Sequence, residues 1–408
     1  MSGVSSLIQT LVFGAVCGLC GFFYAHYTIV NGGASLLQMA ASAPSHSQPP
    51  AVQAAAAVDE PVQVIEDPLL GYGLDYANAL FDLRQDAVFL RMHTNGAARK
   101  NYTSIFASSL NDILVAGRAK FGRPYVTVYG DNGNKVTDFK NLRSGDNVYV
   151  ARSEEIFFWP LMEEGETLEF YHTDFNGEEV KTTMTMVSEI PRIFSFENFM
   201  SAAEADHIVQ QADERMAPST VVHYEKDSHL SNKDKRRTSS STFMPHSFDE
   251  KFAIIENHCY NLSKIPADLS EQIQVIRYQE GQKYEAHFDY FDPDYFPNHP
   301  EYPNGINRMG TLLYYLTDVA KGGETGFPRA GGLPVPSDFG DCSRGIAVPP
   351  KKGNAVLFYS MTPEGHPDGE LDVFSLHGGC MVHEGEKWAA NKWYWNKRSS
   401  VTKVPRAA

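Results

Sequence analysis

Hydrophobic and polar positions divide the chain into three stretches with different patterns. Residues 7–30 form a mostly apolar run that contains no Asp, Glu, Lys or Arg. The next 30 or so residues are dominated by Ala, Ser, Pro and Gln and have no periodic apolar face, which is typical of a segment that does not fold by itself. After residue 67, short apolar runs alternate with Gly, Asn and Pro turn signals. The pattern therefore predicts an apolar N-terminal segment, a flexible stalk over residues 32–66 and a folded remainder.

The apolar run is long enough to cross a bilayer, which takes about 20 apolar residues. Aromatic residues near its end suit the headgroup region of a membrane. We therefore predict a signal anchor that forms a transmembrane helix over residues 1–31. A cleaved signal peptide is the alternative, with a small-x-small pattern at residues 41–43 that lies far beyond the apolar run. Either interpretation places the rest of the chain in the secretory lumen.

Residues 67–189 have the pattern of a small β-rich module. Asn-Gly turn signals separate alternating runs, and the spacing of apolar positions over 105–115 predicts a short helix. We predict strands at residues 87–92, 124–129, 146–151, 167–171 and 180–184. The order of these elements faintly resembles a β-grasp or doublecortin-like module. It contains no catalytic constellation, so we expect either a recognition or spacer role or a purely structural one.

Residues 190–397 have the pattern of a larger domain, followed by a short tail over residues 398–408. Ser201 and Glu204 match a capping box, which predicts a helix over 202–216 that ends before a proline. A second amphipathic helix is predicted over 248–262. Strands are predicted at residues 273–278, 311–316 and 355–359 and within the run 382–395. Strands of this length suggest an all-β sandwich or barrel with helices packed outside.

Composition and charge exclude some classes of protein. The net charge of −15 and the absence of a long basic stripe argue against general binding of nucleic acid. Five cysteines are too few for a disulfide scaffold. Two of them lie inside the apolar run, which leaves Cys259, Cys342 and Cys380. These three allow at most one bridge, and the sequence does not say which pair forms it.

Candidate metal ligands occur in the sequence His287-Phe288-Asp289. On a β-strand, positions i and i+2 point to the same face, so an imidazole and a carboxylate should converge. His377 supplies a second imidazole from a distant part of the chain. Two histidines and one carboxylate that leave other positions of the metal open are typical of non-haem Fe(II) oxygenases.

Several long motifs in the same region carry a family resemblance. In chain order they are Arg237-Thr238-Ser239, RYQEGQKYEAHFDYF from 277, LLYYLTDVAKGGETGFP from 312, VPPKKGNAVLFY from 348 and SLHGGCMVHEGEKWAANKWYW from 375. Together they resemble the catalytic domain of prolyl 4-hydroxylases, within the Fe(II)/2-oxoglutarate dioxygenase superfamily. The resemblance covers residues 190–397, about half of the chain. It implies an α+β, mainly β fold whose core is a double-stranded β-helix, or jelly roll, with flanking helices.

The resemblance also implies roles for individual residues. His287, Asp289 and His377 would hold Fe(II). Lys387 follows His377 at the spacing where this family has the lysine that binds 2-oxoglutarate, whereas several related hydroxylases have an arginine there. The remaining co-substrate and pocket positions implied by the family are Tyr278, Thr325 and Trp393, and Tyr284 and Arg308 are expected to face a peptide.

The implied activity is hydroxylation of peptidyl proline to 4-hydroxyproline, coupled to oxidative decarboxylation of 2-oxoglutarate to succinate and CO2. The implied cofactors are Fe(II), 2-oxoglutarate, O2 and L-ascorbate. The partners we expect are a proline-containing protein and the membrane, with the catalytic domain in the lumen of the endoplasmic reticulum or Golgi. The alternatives are a non-catalytic peptide-binding jelly-roll protein and a dioxygenase with another acceptor. The sequence does not define the oligomeric state.

Overall fold

The computed structural model describes residues 64–65, 87–153, 155–219, 236–292, 305–363 and 369–398. All of them fall within one compact unit, Pro61–Ala408. The predicted anchor over 1–31 lies outside the described residues, as do nearly all of the stalk and of the C-terminal tail. Among the described residues, no helix is long and apolar enough to cross a membrane.

The first part of the described chain forms a five-stranded sheet with one helix across it. Its elements are β1 (Val64–Ile65), β2 (Val88–Thr94), β3 (Thr103–Ala107), α1 (Leu110–Phe121), β4 (Thr127–Gly130) and β5 (Asp146–Ala151). The strand order is β1-β3-β2-β5-β4, and β2 and β5 run parallel while the other pairs are antiparallel. Leu90, Ile105, Ile113 and Val148 form part of its buried core. The proposed likeness to a β-grasp module stays a prediction.

The helix predicted over residues 105–115 is wrong at its start. Residues 103–107 form β3, in which buried and half-buried positions alternate with the period of a strand. The helix begins after Ser109, whose side chain accepts a hydrogen bond from the Asp112 backbone N–H. It ends at Gly122, which has the left-handed conformation that favours glycine. The apolar positions of the strand and the helix lie close enough in sequence to imitate a single helical pattern.

The rest of the chain contains two α-helices and fifteen strands among the described residues. The elements are β6 (Thr167–Thr173), β7 (Glu179–Ser188), β8 (Ile193–Glu197), α2 (Ala202–Ala212), β9 (Ala217–Pro218), β10 (Ser240–Met244), α3 (Glu250–Ser263), β11 (Ile273–Tyr278), β12 (Tyr284–His287), β13 (Arg308–Tyr315), β14 (Lys321–Gly322), β15 (Thr325–Phe327), β16 (Ile346–Val348), β17 (Ala355–Tyr359), β18 (His377–Gly379), β19 (Val382–Glu384) and β20 (Lys387–Trp395). A nine-stranded antiparallel sheet has the order β6-β7-β8-β17-β13-β20-β11-β10-β9, and a four-stranded sheet has the order β12-β18-β15-β16. This mainly β architecture with few helices is consistent with a jelly-roll oxygenase.

The capping box predicted at the start of α2 is present. The Ser201 hydroxyl accepts from the Glu204 backbone N–H, and the Glu204 carboxylate accepts from the Ser201 backbone N–H. The α-helix ends at Ala212 rather than at 216, and a 3-10 turn over 213–215 follows it. This tightening is common at the last turn of a helix.

Alternation along β20 separates the two faces of the large sheet. Trp388, Ala390 and Tyr394 belong to the main core, which also contains buried side chains of α2 and α3. Lys387 and Trp393, on the opposite face, line a cavity. Because side chains on a strand alternate between faces, one strand contributes to the helix-covered core and to the cavity at the same time.

The boundary predicted between residues 189 and 190 falls inside the large sheet. Strand β7 pairs with β8, so the hairpin of β6 and β7 extends the same sheet as β17, β13 and β20. The alternating pattern of this hairpin identifies strands but not their partners. Pairing across 189–190 therefore assigns the last two strands of the predicted module to the C-terminal domain.

A single disulfide forms among the three cysteines that the sequence left open. Cys342 and Cys380 are bonded, with their Cα atoms 6.0 Å apart. Cys259 is free and buried on α3. The bridge ties the end of β18, three residues after His377, to the loop before β16.

A buried ion pair fastens α3 to β20. The Lys392 ammonium donates to the Glu256 carboxylate, and both side chains are almost fully buried. Glu256 also accepts from the Ser247 backbone N–H at 2.8 Å and contacts His246 Nδ1 at 2.9 Å. Burial opposes ionisation of Glu256, but His246 and Lys392 outweigh it and lower its pKa to about 2.

Replacing Lys392 by Met should lower the free energy of unfolding by about 3–5 kcal/mol, because a buried carboxylate is left without its cation. Denaturant unfolding at pH 7 measures this, with Lys351→Met, at an exposed position, as the control. Since the pKa of Glu256 is lower in the folded than in the unfolded state, its contribution is present at neutral pH and is lost as pH falls from about 4.5 towards 2. An unchanged unfolding free energy in Lys392→Met would show that the pair does not stabilise the fold.

Candidate active site

A cavity of about 770 Å³ opens between the nine-stranded sheet and the four-stranded sheet. All seven site residues predicted from the sequence line it, and so do Tyr284 and Arg308. The seven are Tyr278, His287, Asp289, Thr325, His377, Lys387 and Trp393. Six of them lie on strands of the two sheets and Asp289 lies just after β12, so the fold brings together residues that are more than one hundred positions apart in sequence.

The two histidines and the aspartate converge at one point of this cavity. His287 Nε2 lies 3.6 Å from Asp289 Oδ1, and His377 Nε2 lies 3.4 Å from Asp289 Oδ2. The imidazole rings are 4.7 Å apart between centroids. One donor atom from each residue lies within 4.8 Å of the other two. Strands β12 and β18 create this proximity, because His287 pairs directly with His377 in the ladder.

Both histidines direct Nε2 towards this point. His287 Nδ1 lies 2.9 Å from the Glu285 carbonyl oxygen, and His377 Nδ1 lies 2.9 Å from the Ser375 carbonyl oxygen. A carbonyl oxygen only accepts, so each Nδ1 carries a proton and Nε2 is the ring nitrogen left to coordinate a metal. Such hydrogen bonds orient histidines that bind metals.

Asp289 is ionised although it is buried. Burial opposes the charge, but His377 and His287 outweigh it and hold the pKa of Asp289 well below its usual value. The Thr311 hydroxyl donates to Asp289 Oδ2 at 2.6 Å, which orients the carboxylate. Two imidazole nitrogens and an oriented carboxylate fit a divalent transition metal such as Fe(II).

The sequence predicted that His287 and Asp289 converge because both lie on one face of a strand, and this prediction is wrong for Asp289. Strand β12 ends at His287, and Asp289 lies in the bend that follows it. The carboxylate is therefore placed by the bend and by Thr311 rather than by the two-residue period of a strand. Thr311 was not predicted as a site residue, because no local motif connects it to a residue 22 positions away.

We expect Thr311→Val to weaken Fe(II) binding by about 10- to 100-fold, the usual effect of losing an outer hydrogen bond to a metal ligand. The exchange keeps the size and branching of the side chain, so the fold should be retained. Titration of the apoprotein with Fe(II) measures the affinity, and Thr317→Val, on the same stretch of chain but outside the cavity lining, is the control. An unchanged affinity would mean that Thr311 does not orient Asp289.

Lys387 provides a buried positive charge in the same cavity. It is only 2% exposed, and burial lowers the pKa of its ammonium to about 8, with Glu324 acting in the opposite direction. Within the described residues, no carboxylate forms a salt bridge with Nζ; the rings of Tyr278 and Tyr315 each lie 5.5 Å from it. A buried cation without a counter-ion is costly, so this site is suited to an anionic ligand.

Thr325 and Tyr315 form a polar pair beside this lysine. The Tyr315 hydroxyl donates to Thr325 Oγ1 at 2.9 Å. The sequence identified Thr325 and Tyr278 but missed Tyr315, since a buried strand tyrosine is by default a core residue. Its position next to the last residue of the strand predicted over 311–316 gave no signal of its contact with Thr325.

Aromatic and cationic side chains form another part of the wall. The Tyr284 ring stacks on the His287 imidazole with centroids 3.7 Å apart, and the Arg237 guanidinium lies 4.7 Å from the centre of the Tyr284 ring. The Arg308 guanidinium lies 3.9 Å from the centre of the Trp393 ring, and both residues line the cavity. Arg308 is also held by Glu271 through two hydrogen bonds of 2.6 and 2.9 Å. These planar groups are therefore fixed in position.

Comparisons with known proteins show what this chain is similar to. A family model described as the 2OG-Fe(II) oxygenase superfamily matches residues 273–395. Probable prolyl 4-hydroxylase 4 of Arabidopsis thaliana is 43% identical over 217 residues, which are 51% of this chain and 68% of the relative. Prolyl 4-hydroxylase 2 of the same plant is 42% identical over 214 residues, with shares of 51% and 68%. A viral collagen prolyl hydroxylase from Paramecium Bursaria Chlorella virus-1 is a solved structure with 25% identity and a TM-score of 0.36, over 50% of this chain and 96% of that chain.

The site and the family model define an oxygenase that depends on Fe(II), 2-oxoglutarate and O2. More narrowly, the chain belongs to the prolyl 4-hydroxylases, since it is over 40% identical to members of which it covers more than two thirds. It is therefore an enzyme that hydroxylates proline. The family resemblance drawn from the sequence motifs is confirmed.

Proposed function

We propose that His287 Nε2, His377 Nε2 and Asp289 hold Fe(II), and that Lys387 binds the distal carboxylate of 2-oxoglutarate within a double-stranded β-helix. The observation that carries this assignment is the meeting, in one cavity, of three ligand atoms with a buried lysine that forms no salt bridge with any carboxylate of the described residues. A cavity of about 770 Å³ also lies in the size range usual for sites that bind small molecules.

When bound, the metal, 2-oxoglutarate and O2 supply the oxidation that converts a C–H bond at C4 of proline to C–OH, with succinate and CO2 as coproducts. The protein's part is to bind, orient and exclude water. Lys387 fixes one end of the co-substrate through charge, while the hydroxyls of Thr325 and Tyr278 lie on the wall beside it. The buried positions of Tyr278 and Lys387 keep water away from the charged end.

The acceptor we propose is a proline residue in an extended peptide. A proline ring offers an apolar face that packs against aromatic side chains. Tyr284, Phe288 and Trp393 all line the cavity and supply aromatic surface at its wall. Arg237 and Arg308 can donate hydrogen bonds to peptide carbonyl groups.

The surroundings we propose are luminal, with the N-terminal segment as a membrane anchor in the endoplasmic reticulum or Golgi and with L-ascorbate keeping the iron reduced. The Cys342–Cys380 disulfide supports an oxidising compartment, because such bonds are rare in the cytosol. The anchor itself rests on the sequence pattern of residues 1–31.

Turnover of 2-oxoglutarate by the purified protein, with Fe(II) and ascorbate and with or without proline-rich peptides, tests the proposal. We expect peptide-stimulated release of succinate and a mass increase of one oxygen on proline, located at C4 by comparison with hydroxyproline standards. Uncoupled turnover without peptide oxidation would point to another acceptor. Peptide binding without any turnover, in protein that contains iron, would favour the non-catalytic alternative.

A further inference from the structure

A second cluster of metal-ligand side chains lies away from the cavity. His172 is on β6, Glu204 is on α2 and His258 is on α3, so three separate elements contribute to it. None of the three lines the active-site cavity. One donor atom from each lies within 4.8 Å of the other two. Glu204 is fully buried and His258 is 4% exposed.

The three side chains turn their free donor atoms towards one another. His258 Nδ1 lies 3.4 Å from Glu204 Oε1, and the two imidazole rings are 4.1 Å apart between centroids. His172 Nε2, His258 Nδ1 and Glu204 Oε1 are buried atoms that have no hydrogen-bond partner in the part of the chain that the structure describes. Buried polar atoms are normally paired, and three orphans at one point require a physical explanation.

Hydrogen bonds on the far side of each ring fix its tautomer. His258 Nε2 lies 3.1 Å from the Thr173 carbonyl oxygen, which only accepts, so Nε2 carries the proton and Nδ1 has a lone pair. The Thr182 hydroxyl donates to the Asn198 carbonyl at 2.8 Å and can therefore only accept from His172 Nδ1, at 3.4 Å. His172 Nε2 is thus also unprotonated. Such outer contacts are what orient histidines that bind metals.

Glu204 is held in a similar way. Its Oε2 accepts from the Ser201 backbone N–H at 2.9 Å in the capping box, and the Phe175 backbone N–H also acts on the carboxylate. Oε1 lies 3.4 Å from His258 Nδ1. Asp174, the next buried carboxylate, is occupied by the backbone N–H groups of Asn176 and Glu178 at 2.8 and 3.0 Å. The cluster therefore offers two nitrogens and one oxygen as ligands.

We propose that His172 Nε2, His258 Nδ1 and Glu204 Oε1 bind a Zn²⁺ ion that fastens the β6–β7 hairpin to α2 and α3. Two imidazoles and one carboxylate with a water in the fourth position form a common tetrahedral zinc set. Imidazole nitrogens also favour zinc over the oxygen-preferring Mg²⁺ and Ca²⁺. A cation at this point gives each orphaned atom a partner. The site is independent of proline hydroxylation, since no ligand is shared with the cavity.

Metal content of the full chain tests the proposal. The protein is stripped with a chelator, incubated with Zn²⁺ alone, desalted and analysed for zinc. All variants also carry His287→Ala, which removes one of the proposed iron ligands. Zinc that is still bound can then be attributed to the second cluster. We expect one zinc per chain in this background, and no retained zinc when His172→Asn or Glu204→Gln is added. Gln at 204 keeps the capping box because its side-chain amide oxygen still accepts, but it removes the anionic ligand.

A matched control is His207→Ala on the same helix as Glu204. His207 Nε2 is bound to Asp249 at 2.9 Å and does not belong to the cluster, so zinc should be retained in this variant. Zinc should also raise the melting temperature of the protein with an intact cluster and of His207→Ala, but not that of Glu204→Gln. Absence of zinc from the His287→Ala background, or equal zinc in Glu204→Gln, would overturn the proposal.

If a cluster variant does not fold, X-ray absorption at the zinc edge of the loaded His287→Ala protein decides. The proposal expects nitrogen and oxygen neighbours at about 2.0–2.1 Å and the scattering pattern of two imidazoles. A spectrum without imidazole contributions would contradict the assignment.

Discussion

Replacing His377 by Ala should reduce 2-oxoglutarate turnover by well over 100-fold while leaving the fold intact. His377 contributes one of three proposed iron ligands, and even loss of a hydrogen bond to such a ligand usually costs about 10- to 100-fold. Its Nδ1 contact is to a backbone carbonyl of its own segment, so truncation breaks no link between distant elements. Succinate release and iron content, measured on the same samples, should both fall.

His383→Ala is the matched control for this experiment. His383 lies on β19, six residues after His377, and is exposed. Its loss should change neither iron content nor turnover. Near-normal activity in His377→Ala would refute the ligand assignment, whereas loss of activity in both variants would indicate a general effect on folding, which circular dichroism would reveal.

The outline of the active site was predictable because its residues lie in contiguous motifs. The strands predicted at residues 146–151, 273–278 and 355–359 have those bounds in the structure. The ligand set and Lys387 came from motifs with fixed spacing, and all seven predicted residues line one cavity. The local sequence pattern was sufficient to predict strands and site residues whose roles are set by the residues next to them in the chain.

Contacts between distant residues were not predictable from such patterns. Thr311 reaches Asp289 because β13 and the bend after β12 lie side by side, and Tyr315 reaches Thr325 across two strands. The β6–β7 hairpin joins the large sheet through pairing that its alternating pattern does not encode. The second cluster is an extreme case, since its ligands lie 32 and 54 residues apart in sequence on three elements.

The histidine clusters also show how the same residue types acquire different surroundings. Both contain two imidazoles whose outer nitrogens are engaged and one buried carboxylate. The first opens into a cavity with a buried cation, which suits a reaction that needs further ligands. The second lies between a hairpin and two helices, so a bound ion would link three separate elements.

Lys387→Met should raise the KM for 2-oxoglutarate by about 10- to 100-fold, with a smaller effect on kcat at saturation. The substitution keeps an unbranched side chain in a buried position but removes the charge that pairs with a carboxylate, and a hydrogen bond to a charged group contributes about 1.5–3 kcal/mol. Steady-state kinetics with varied 2-oxoglutarate measures the change. Lys321→Met, at an exposed position on β14, should leave the KM unaltered. An unchanged KM in Lys387→Met would show that another cation binds the co-substrate.

The same lysine predicts how co-substrate binding depends on pH. Burial lowers the pKa of Lys387 to about 8 in the free protein, so the ammonium is present below pH 8 and is lost above it. Because only the charged form pairs with a carboxylate, the KM for 2-oxoglutarate should be constant below that pH and rise about tenfold per pH unit above it. Bound 2-oxoglutarate favours the ammonium, so binding above pH 8 should take up a proton, which calorimetry in buffers of different ionisation enthalpy detects. In Lys387→Met this rise should disappear; if it persists, the titrating group is not Lys387.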